Sequence, residues 1–194
     1  MLHLLGPSPA WHNDPSAPQP LTNTWPGWLL AYLALKGHWV GRDHLFALLW
    51  PDVSLADAQH NLREALHRAR AIVQGWGLSG ALEADRRRVR LLVPTDVAAL
   101  HAACTLERKD SPPPYPGLLL ASMGFDGFAA LQEWVDLEQR TTHGLWRRAV
   151  MRRLDGPCDS DETASWCADL LNADPLDDEA MVLQLRLLSR QGQG

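Results

Sequence analysis

The stretch "SLADAQHNLREALHRARAIVQGWG", residues 54–77, has the pattern of an amphipathic helix with capping signals at both ends. Ser54 suits the N-cap, and Asp57 three residues later completes a pair similar to a capping box. Gly75 or Gly77 can end the helix. With about 100° between successive residues, the apolar side chains fall within one narrow arc. This predicted core face consists of Leu55, Ala58, Leu62, Leu66, Ala69 and Val73.

A second arc of the same helix, roughly 100° wide, is polar and contains no carboxylate. Arginine suits guanine edges and phosphates, and Gln or Asn suits adenine, so these residue types can read DNA. A solvated helix face is the other explanation of the same pattern. We call this arc the polar stripe; its members are Gln59, His60, Arg63, His67, Arg70 and Gln74.

The segment "GALEADRRRVRLLV", residues 80–93, predicts a β-hairpin that carries three consecutive arginines. "ALEA" forms one strand, "DRR" the turn region and "VRLLV" the return strand, which Pro94 ends. The arginines at 86, 87 and 88 then fit the tip of a wing that reaches phosphates or the minor groove. Because Glu83 and Asp85 lie beside them, we expect phosphate anchoring by the hairpin and base reading by the helix.

The elements before this helix complete a recognisable order. Residues 1–25 contain proline-rich turns and short extended pieces, which indicate short strands. Pro26 opens a helix that is apolar nearly all round and that Gly37 can cap. A short extended piece and a helix over about residues 42–49 follow, and Pro51 stops that helix. Strands, helix, strand, helix, helix and hairpin are together the order of a winged helix-turn-helix domain.

The second half of the sequence predicts helices only. Helical periodicity is present in "TDVAALHAACTLERKD", "FAALQEWVDLEQRTTHGLWRRAVMRRL", "ETASWCADLLNAD" and "LDDEAMVLQLRLLSRQ". Gly144 and its neighbouring threonines weaken the second of these helices, by about 1 kcal/mol for the glycine alone. The predicted organisation is therefore a winged-helix domain over residues 1–97 and a helical domain over 98–194. Helix–turn–helix units of tetratricopeptide size fit the helical domain.

Composition and charge limit the classes of function. The chain has a formal net charge of -5, yet residues 58–90 hold seven Lys and Arg against three Asp and Glu, a local +4. The start of the sequence lacks the features of a secretory signal, and no window reaches ~18 uninterrupted apolar residues. We therefore expect a cytoplasmic protein without a membrane partner. Three widely spaced cysteines, Cys104, Cys158 and Cys167, fit a reducing compartment.

Catalytic and cofactor-binding patterns are missing from the sequence. There is no GxSxG nucleophile pattern and no phosphate-binding GxxxxGK[ST]. A metal site formed by Cys158, Cys167 and a nearby histidine is conceivable, but the spacing differs from the usual zinc patterns. The acidic run "DPLDDE" suits a helix N-terminus, where carboxylates meet the helix dipole. We expect no enzymatic activity, no cofactor and no metal.

Several motifs of this sequence are similar to those of one family. They are "LLAYLAL", "RD-L---LWP", "NLR-AL-R-R" and a hairpin followed by Asp96-Val97, and in the second half "YPGLL", "EWVDLEQR" and "DPLDDEA". In this order they resemble the bacterial transcriptional activator domain (BTAD) regulators. That group includes the antibiotic regulatory proteins of SARP type, whose DNA-binding domain is similar to the OmpR type. The resemblance covers nearly the whole chain.

The resemblance implies a transcriptional regulator whose partner is double-stranded DNA. The helix over residues 54–73 would be the recognition helix, and a helical wheel places Arg68 away from the polar stripe, where it suits a flanking phosphate. Residues 50–54 would form the turn that can meet RNA polymerase, and the tetratricopeptide-like half implies protein contacts, including a homodimer. Positions that would face DNA are Arg63, His67, Arg68 and Arg70 on the helix and Arg86, Arg87 and Arg88 on the wing.

Two further expectations follow. The family continues with more helices beyond the point where this sequence ends in "SRQGQG", so we expect a fragment of a longer regulator. An alternative function remains open: a protein-interaction or scaffold module whose winged helix no longer binds DNA. Glu83 and Asp85 beside the wing arginines, and the modest local charge, favour that alternative.

Overall fold

A computed structural model describes residues 1–12, 17–105, 112–115, 117–125 and 127–191. Within these residues the chain forms six short strands and seven helices. They pack as two compact units. The first unit comprises Met1–Ala99 and Leu118–Gln139, and the second comprises Leu100–Gly117 and Arg140–Gly194.

The first unit begins with a small antiparallel sheet in the order β1-β2-β3. Its strands are β1 (Leu2–His3), β2 (Ala10–Trp11) and β3 (Gln19–Pro20), which agrees with the short strands predicted for this region. The N–H of Leu2 also donates to the carbonyl of Pro94 at 2.9 Å, so the beginning of the chain is joined to the segment after the hairpin.

Helix α1 (Trp25–Lys36) is buried on almost every side. Its C-cap Gly37 has φ 60°, in the left-handed region, and its N–H donates to the carbonyl of Leu33. Gly27 lies against the preceding segment, because an added Cβ would be 2.0 Å from the Thr22 carbonyl oxygen. Glycine is therefore required at position 27 by packing.

Strand β4 (Val40–Gly41) leads into the helix-turn-helix, formed by α2 (Arg42–Leu49) and α3 (Leu55–Gly75). Ser54 caps α3, since its hydroxyl oxygen accepts a hydrogen bond from the Asp57 N–H at 3.2 Å. The predicted core face of α3 is buried with one exception. Leu55 is 62% exposed, because the first turn of α3 extends beyond the core that α1 and α2 provide.

The hairpin consists of β5 (Leu82–Ala84) and β6 (Arg88–Leu91). Strand β6 lies between β4 and β5 in a second antiparallel sheet. Val89 and Leu91 are fully buried, so this face of β6 completes the core of the winged helix.

Residues 118–139 belong to the first unit, whereas the sequence assigned them to the helical domain after residue 97. The N–H of Gly6 donates to the Leu118 carbonyl at 3.0 Å, and the N–H of Leu120 donates to the Leu4 carbonyl at 2.8 Å. The ring of Phe128 also lies 4.8 Å from that of Trp28, centre to centre. Backbone pairing with the N-terminal segment and aromatic packing on α1 therefore hold this stretch in the first unit.

The remaining helices are α4 (Asp96–Thr105), α5 (Ala129–Leu154), α6 (Ser160–Ala173) and α7 (Asp178–Gln191). Helix α5 runs without a break through Gly144, the predicted weak point, and α6 packs against α7. The tetratricopeptide-like arrangement of these helices stays a prediction. The end of the predicted helix at "ERKD" lies outside the described residues.

The described helices include none that is long and apolar enough to cross a membrane. In the same part of the chain, no three His, Cys, Asp or Glu side chains are grouped so that they could hold a metal ion.

Candidate nucleic-acid interface

The polar stripe of α3 faces solvent. Burial of the apolar face against α1 and α2 fixes the rotation of the helix about its axis, which leaves the adjoining polar arc in solvent. The Arg63 Nε donates to the Gln59 carbonyl of the same helix at 3.2 Å, and its two terminal nitrogens have no partner among the described residues. All six members are exposed: Gln59, His60, Arg63, His67, Arg70 and Gln74.

Arg68 lies on a different face of α3 from the polar stripe. It lines a groove of about 520 Å³ together with Asn61 and Glu64, against Trp25 and Phe128. This position agrees with the helical wheel, which separates Arg68 from the other arginines. Its suggested contact with a flanking phosphate stays a prediction.

The turn of the hairpin is fixed by hydrogen bonds to Asp85. Its carboxylate accepts from the N–H groups of Arg87 at 2.8 Å and Arg88 at 2.9 Å. From the start of α2, Arg42 donates its Nε to the Asp85 carbonyl at 3.0 Å and its N–H to the Arg87 carbonyl at 2.8 Å. Donation by the Arg87 N–H, and then by Arg88, holds the pKa of the Asp85 carboxyl below its ordinary value.

The three wing arginines have different environments. Arg88 lies on β6, where its Nε is 3.1 Å from an Asp85 carboxylate oxygen and its guanidinium is 4.4 Å from the centre of the Trp39 ring. Arg86 and Arg87 are exposed in the turn, and within the described residues their side chains have no hydrogen-bond or ion-pair partner. Two of the three are therefore free to meet a ligand without first breaking an ion pair.

A groove of about 450 Å³ lies between α3 and the base of the hairpin, and we call it the helix–hairpin groove. One wall is the C-terminal half of α3, including part of the polar stripe, and the other is the turn that enters β5. No carboxylate is among its nine lining residues, which are His67, Arg70, Ala71, Val73, Gln74, Leu78, Ser79, Gly80 and Leu82. The C-terminal half of the stripe and the turn that enters the hairpin therefore share a groove without a carboxylate, while Glu83 and Asp85 lie farther along the hairpin.

Sequence reasoning missed the residues that support the hairpin, Trp39 and Arg42. The alternation of side chains along a strand places Arg88 and Arg90 on one face of β6, opposite the buried Val89. That signal was available in the sequence. The pairing of β4 with β6, which brings Trp39 beneath both arginines, was not.

The turn between α2 and α3 begins with the buried Trp50 and is otherwise exposed at residues 51–54. Val53 is 43% exposed and is followed by the exposed Leu55. An exposed apolar pair of this kind suits a protein contact, and the contact with RNA polymerase stays a prediction.

No protein-family model and no curated protein matches this chain. It is similar to the solved structure of Mycobacterium tuberculosis EmbR in complex with a low-affinity phosphopeptide. The TM-score is 0.56 and the sequence identity is 17%, over 99% of this chain and 56% of the EmbR chain. The chain thus spans little more than half the length of EmbR. The likeness supports the fold that the sequence predicts, a winged helix followed by helices.

Proposed function

We propose that this chain is a sequence-specific, DNA-binding transcriptional regulator of the type that its sequence resembles. Helix α3 enters the major groove, and the hairpin is the wing. One observation carries the proposal: the exposed polar stripe of α3 and the base of the hairpin share a groove that no carboxylate lines. Basic side chains without nearby carboxylates favour binding of polyanionic DNA, and the local excess of arginine in this acidic chain lies at residues 58–90.

The positions of the side chains suggest a division of roles. The N-terminal half of a recognition helix commonly contacts base edges, and here that half carries Gln59, His60 and Arg63. The exposed Arg86 and Arg87 contact the backbone or the adjacent minor groove. The hydrogen bonds around Asp85 hold the turn in one conformation before DNA binds, which lowers the entropy lost on binding.

The helical half contacts proteins in this proposal. Helix α7 exposes Val182, Leu185 and Leu188 at 46%, 64% and 57%. Exposed apolar side chains grouped on one helix are typical of a protein contact. A second copy of the chain is the partner proposed for this half, and RNA polymerase for residues 50–54. We assign the chain no catalytic role and no cofactor.

The experiment that tests the proposal is selection of DNA sequences by the wild-type chain from a random duplex library. A specific regulator enriches one class of sequences over successive rounds, and the enriched duplex binds at least about 10³-fold more tightly than an unrelated one. Enrichment of no sequence class, with equal affinity for the starting and final pools, is the result that contradicts sequence-specific binding.

A second candidate function is supported by the ion pairs of the hairpin. Glu83 accepts a hydrogen bond from Arg90 at 2.8 Å, and Asp85 forms an ion pair with Arg88. Two of the four arginines in residues 86–90 are therefore already paired with a carboxylate. A protein-interaction module that has lost DNA binding would retain these pairs. It predicts that the wild-type chain retards no duplex even at low ionic strength.

A further inference from the structure

We infer that the helix–hairpin groove binds the sugar-phosphate backbone of DNA, and that Arg70 therefore contacts a phosphate and not a base edge. This inference rests on the proposed function and assigns a ligand to one part of the proposed interface. A helix in the major groove and a wing in the adjacent minor groove lie on either side of one DNA strand. The space between the two protein elements must accommodate that strand.

The shape of the groove fits this position. His67, Arg70 and Gln74 form the α3 wall, and the turn at Ser79 and Gly80 forms the opposite wall. Buried apolar side chains close the floor, since Val73 is 2% exposed and Leu82 is 8% exposed. An apolar floor below polar walls can receive the sugar while the walls face the phosphate oxygens.

The chemistry of the walls suits an anion. The α3 wall supplies the Arg70 guanidinium, the His67 imidazole and the Gln74 amide as donors. On the opposite wall, the Ser79 hydroxyl is a further donor. The backbone N–H groups of Ser79 and Gly80 donate to no other group in the described structure. Gly80 has φ 93°, a conformation that favours glycine and that shapes this turn.

Arg63 provides the contrast. It lies almost two helical turns before Arg70 on the same stripe but does not line the groove. The backbone strand in the groove leaves Arg63 on the major-groove side, where its terminal nitrogens are free to form a bidentate contact with guanine. Arg70 and Arg63 thus belong to different classes of DNA contact.

The test compares Gln and Lys variants at these two positions. Binding of the selected duplex and of an unrelated duplex is measured at salt concentrations between about 50 and 200 mM. Over this range, an affinity that depends on phosphate contacts falls steeply. We expect Arg70→Gln to lower the affinity for both duplexes by the same factor. It should also reduce the steepness of log affinity against log salt concentration by about 1. Arg70→Lys restores both affinities, because a phosphate needs a positive charge and not a planar fork.

Arg63→Gln has a different expected result. It lowers the preference for the selected duplex by about 5- to 150-fold, and Arg63→Lys does not restore that preference. The matched control is Arg148→Gln, which removes the same charge from an exposed position of α5 and leaves both affinities unchanged. Melting curves of all variants establish that each is folded.

Two contrary results are distinguishable. If Arg70→Gln changes the preference at one base pair with an unchanged salt slope, or leaves binding unaltered, the assignment of Arg70 to a phosphate is wrong while DNA binding stands. If the wild-type chain retards neither duplex at 50 mM salt, where non-specific contacts are strong, the proposed function and this inference both fail.

Discussion

Single residues of the same type differ here because their surroundings differ. Arg87 and Arg88 are neighbours in sequence, yet the first is free in the turn and the second is held by Asp85 and by the ring of Trp39. Two glycines that interrupt helical patterns differ in the same way. Gly27 lies against a backbone carbonyl, whereas an added Cβ at Gly144 would meet only the Arg148 side chain, at 3.6 Å.

The two glycines give a paired prediction about stability. Gly27→Ala places a Cβ 2.0 Å from the Thr22 oxygen, so the backbone must shift, and we expect a loss of about 1–3 kcal/mol. Gly144→Ala meets no such obstacle and removes the entropic cost of glycine in a helix, which stabilises α5 by about 0.5–1 kcal/mol. Thermal unfolding followed by circular dichroism measures both. Equal effects of the two substitutions would contradict the packing described for Gly27.

The structural elements that depend on local spacing could be predicted from the sequence, and those that depend on distant partners could not. The capping residue Ser54, the period of α3 and the hairpin at residues 80–93 could be predicted, because each depends on local spacing. The support of the hairpin by Trp39 could not, since it requires the pairing of β4 with β6 across a long separation in sequence. The place of residues 118–139 likewise depends on distant partners, and the exposure of Leu55 depends on where the core ends.

Asp85 should affect DNA affinity in two opposite ways: its negative charge weakens binding, and the hydrogen bonds by which it orders the turn strengthen binding. Asp85→Asn removes a negative charge beside Arg86 and Arg87 but keeps an oxygen that accepts the N–H groups of residues 87 and 88. We expect it to bind the selected duplex at least as tightly as wild type. Asp85→Ala removes the same charge together with the acceptor, so the turn loosens and binding weakens. Fluorescence anisotropy measures the affinity of each variant for the selected duplex. Binding by Asp85→Ala that is tighter than wild type would show that charge, and not the order of the turn, determines the contribution of the wing.

Along the sequence, charge separates the two halves of the chain. The basic segment lies in α3 and the hairpin, while the second half is acidic. Within the second unit, the most buried of the paired carboxylates is that of Asp177. Asp177, whose side chain is 3% exposed, accepts a hydrogen bond from the Arg147 Nη2 at 2.9 Å and joins α5 to the start of α7.

This ion pair makes the stability of the second unit depend on pH. Hydrogen bonding from Arg147 lowers the pKa of Asp177 below its ordinary 3.8. The pair therefore stabilises the fold fully above that value, and its contribution is lost as the pH falls through the lowered pKa. Asp177→Asn should cost about 1–2 kcal/mol at neutral pH, a value reduced because Arg147 is partly exposed and keeps Glu179.

Comparing the stability of wild type and Asp177→Asn over a range of pH tests whether the pair with Arg147 causes the loss. The difference in unfolding free energy between wild type and Asp177→Asn should shrink below pH 3.8. Asp178→Asn, on the same first turn of α7 but exposed, is the control for the helix dipole alone. A difference that persists unchanged at low pH, or an equal effect of the control, would mean that the pair with Arg147 is not responsible.

The most direct test of DNA binding is a low-salt mobility shift with the selected duplex, using the wild-type chain and a variant that lacks both basic surfaces. In that variant Arg63, His67, Arg70, Arg86 and Arg87 are replaced by Ala. We expect the wild-type chain to retard the duplex and the variant, which remains folded, to leave it unretarded. Retardation by the variant at the same protein concentration as wild type would contradict the assignment of α3 and the hairpin to DNA.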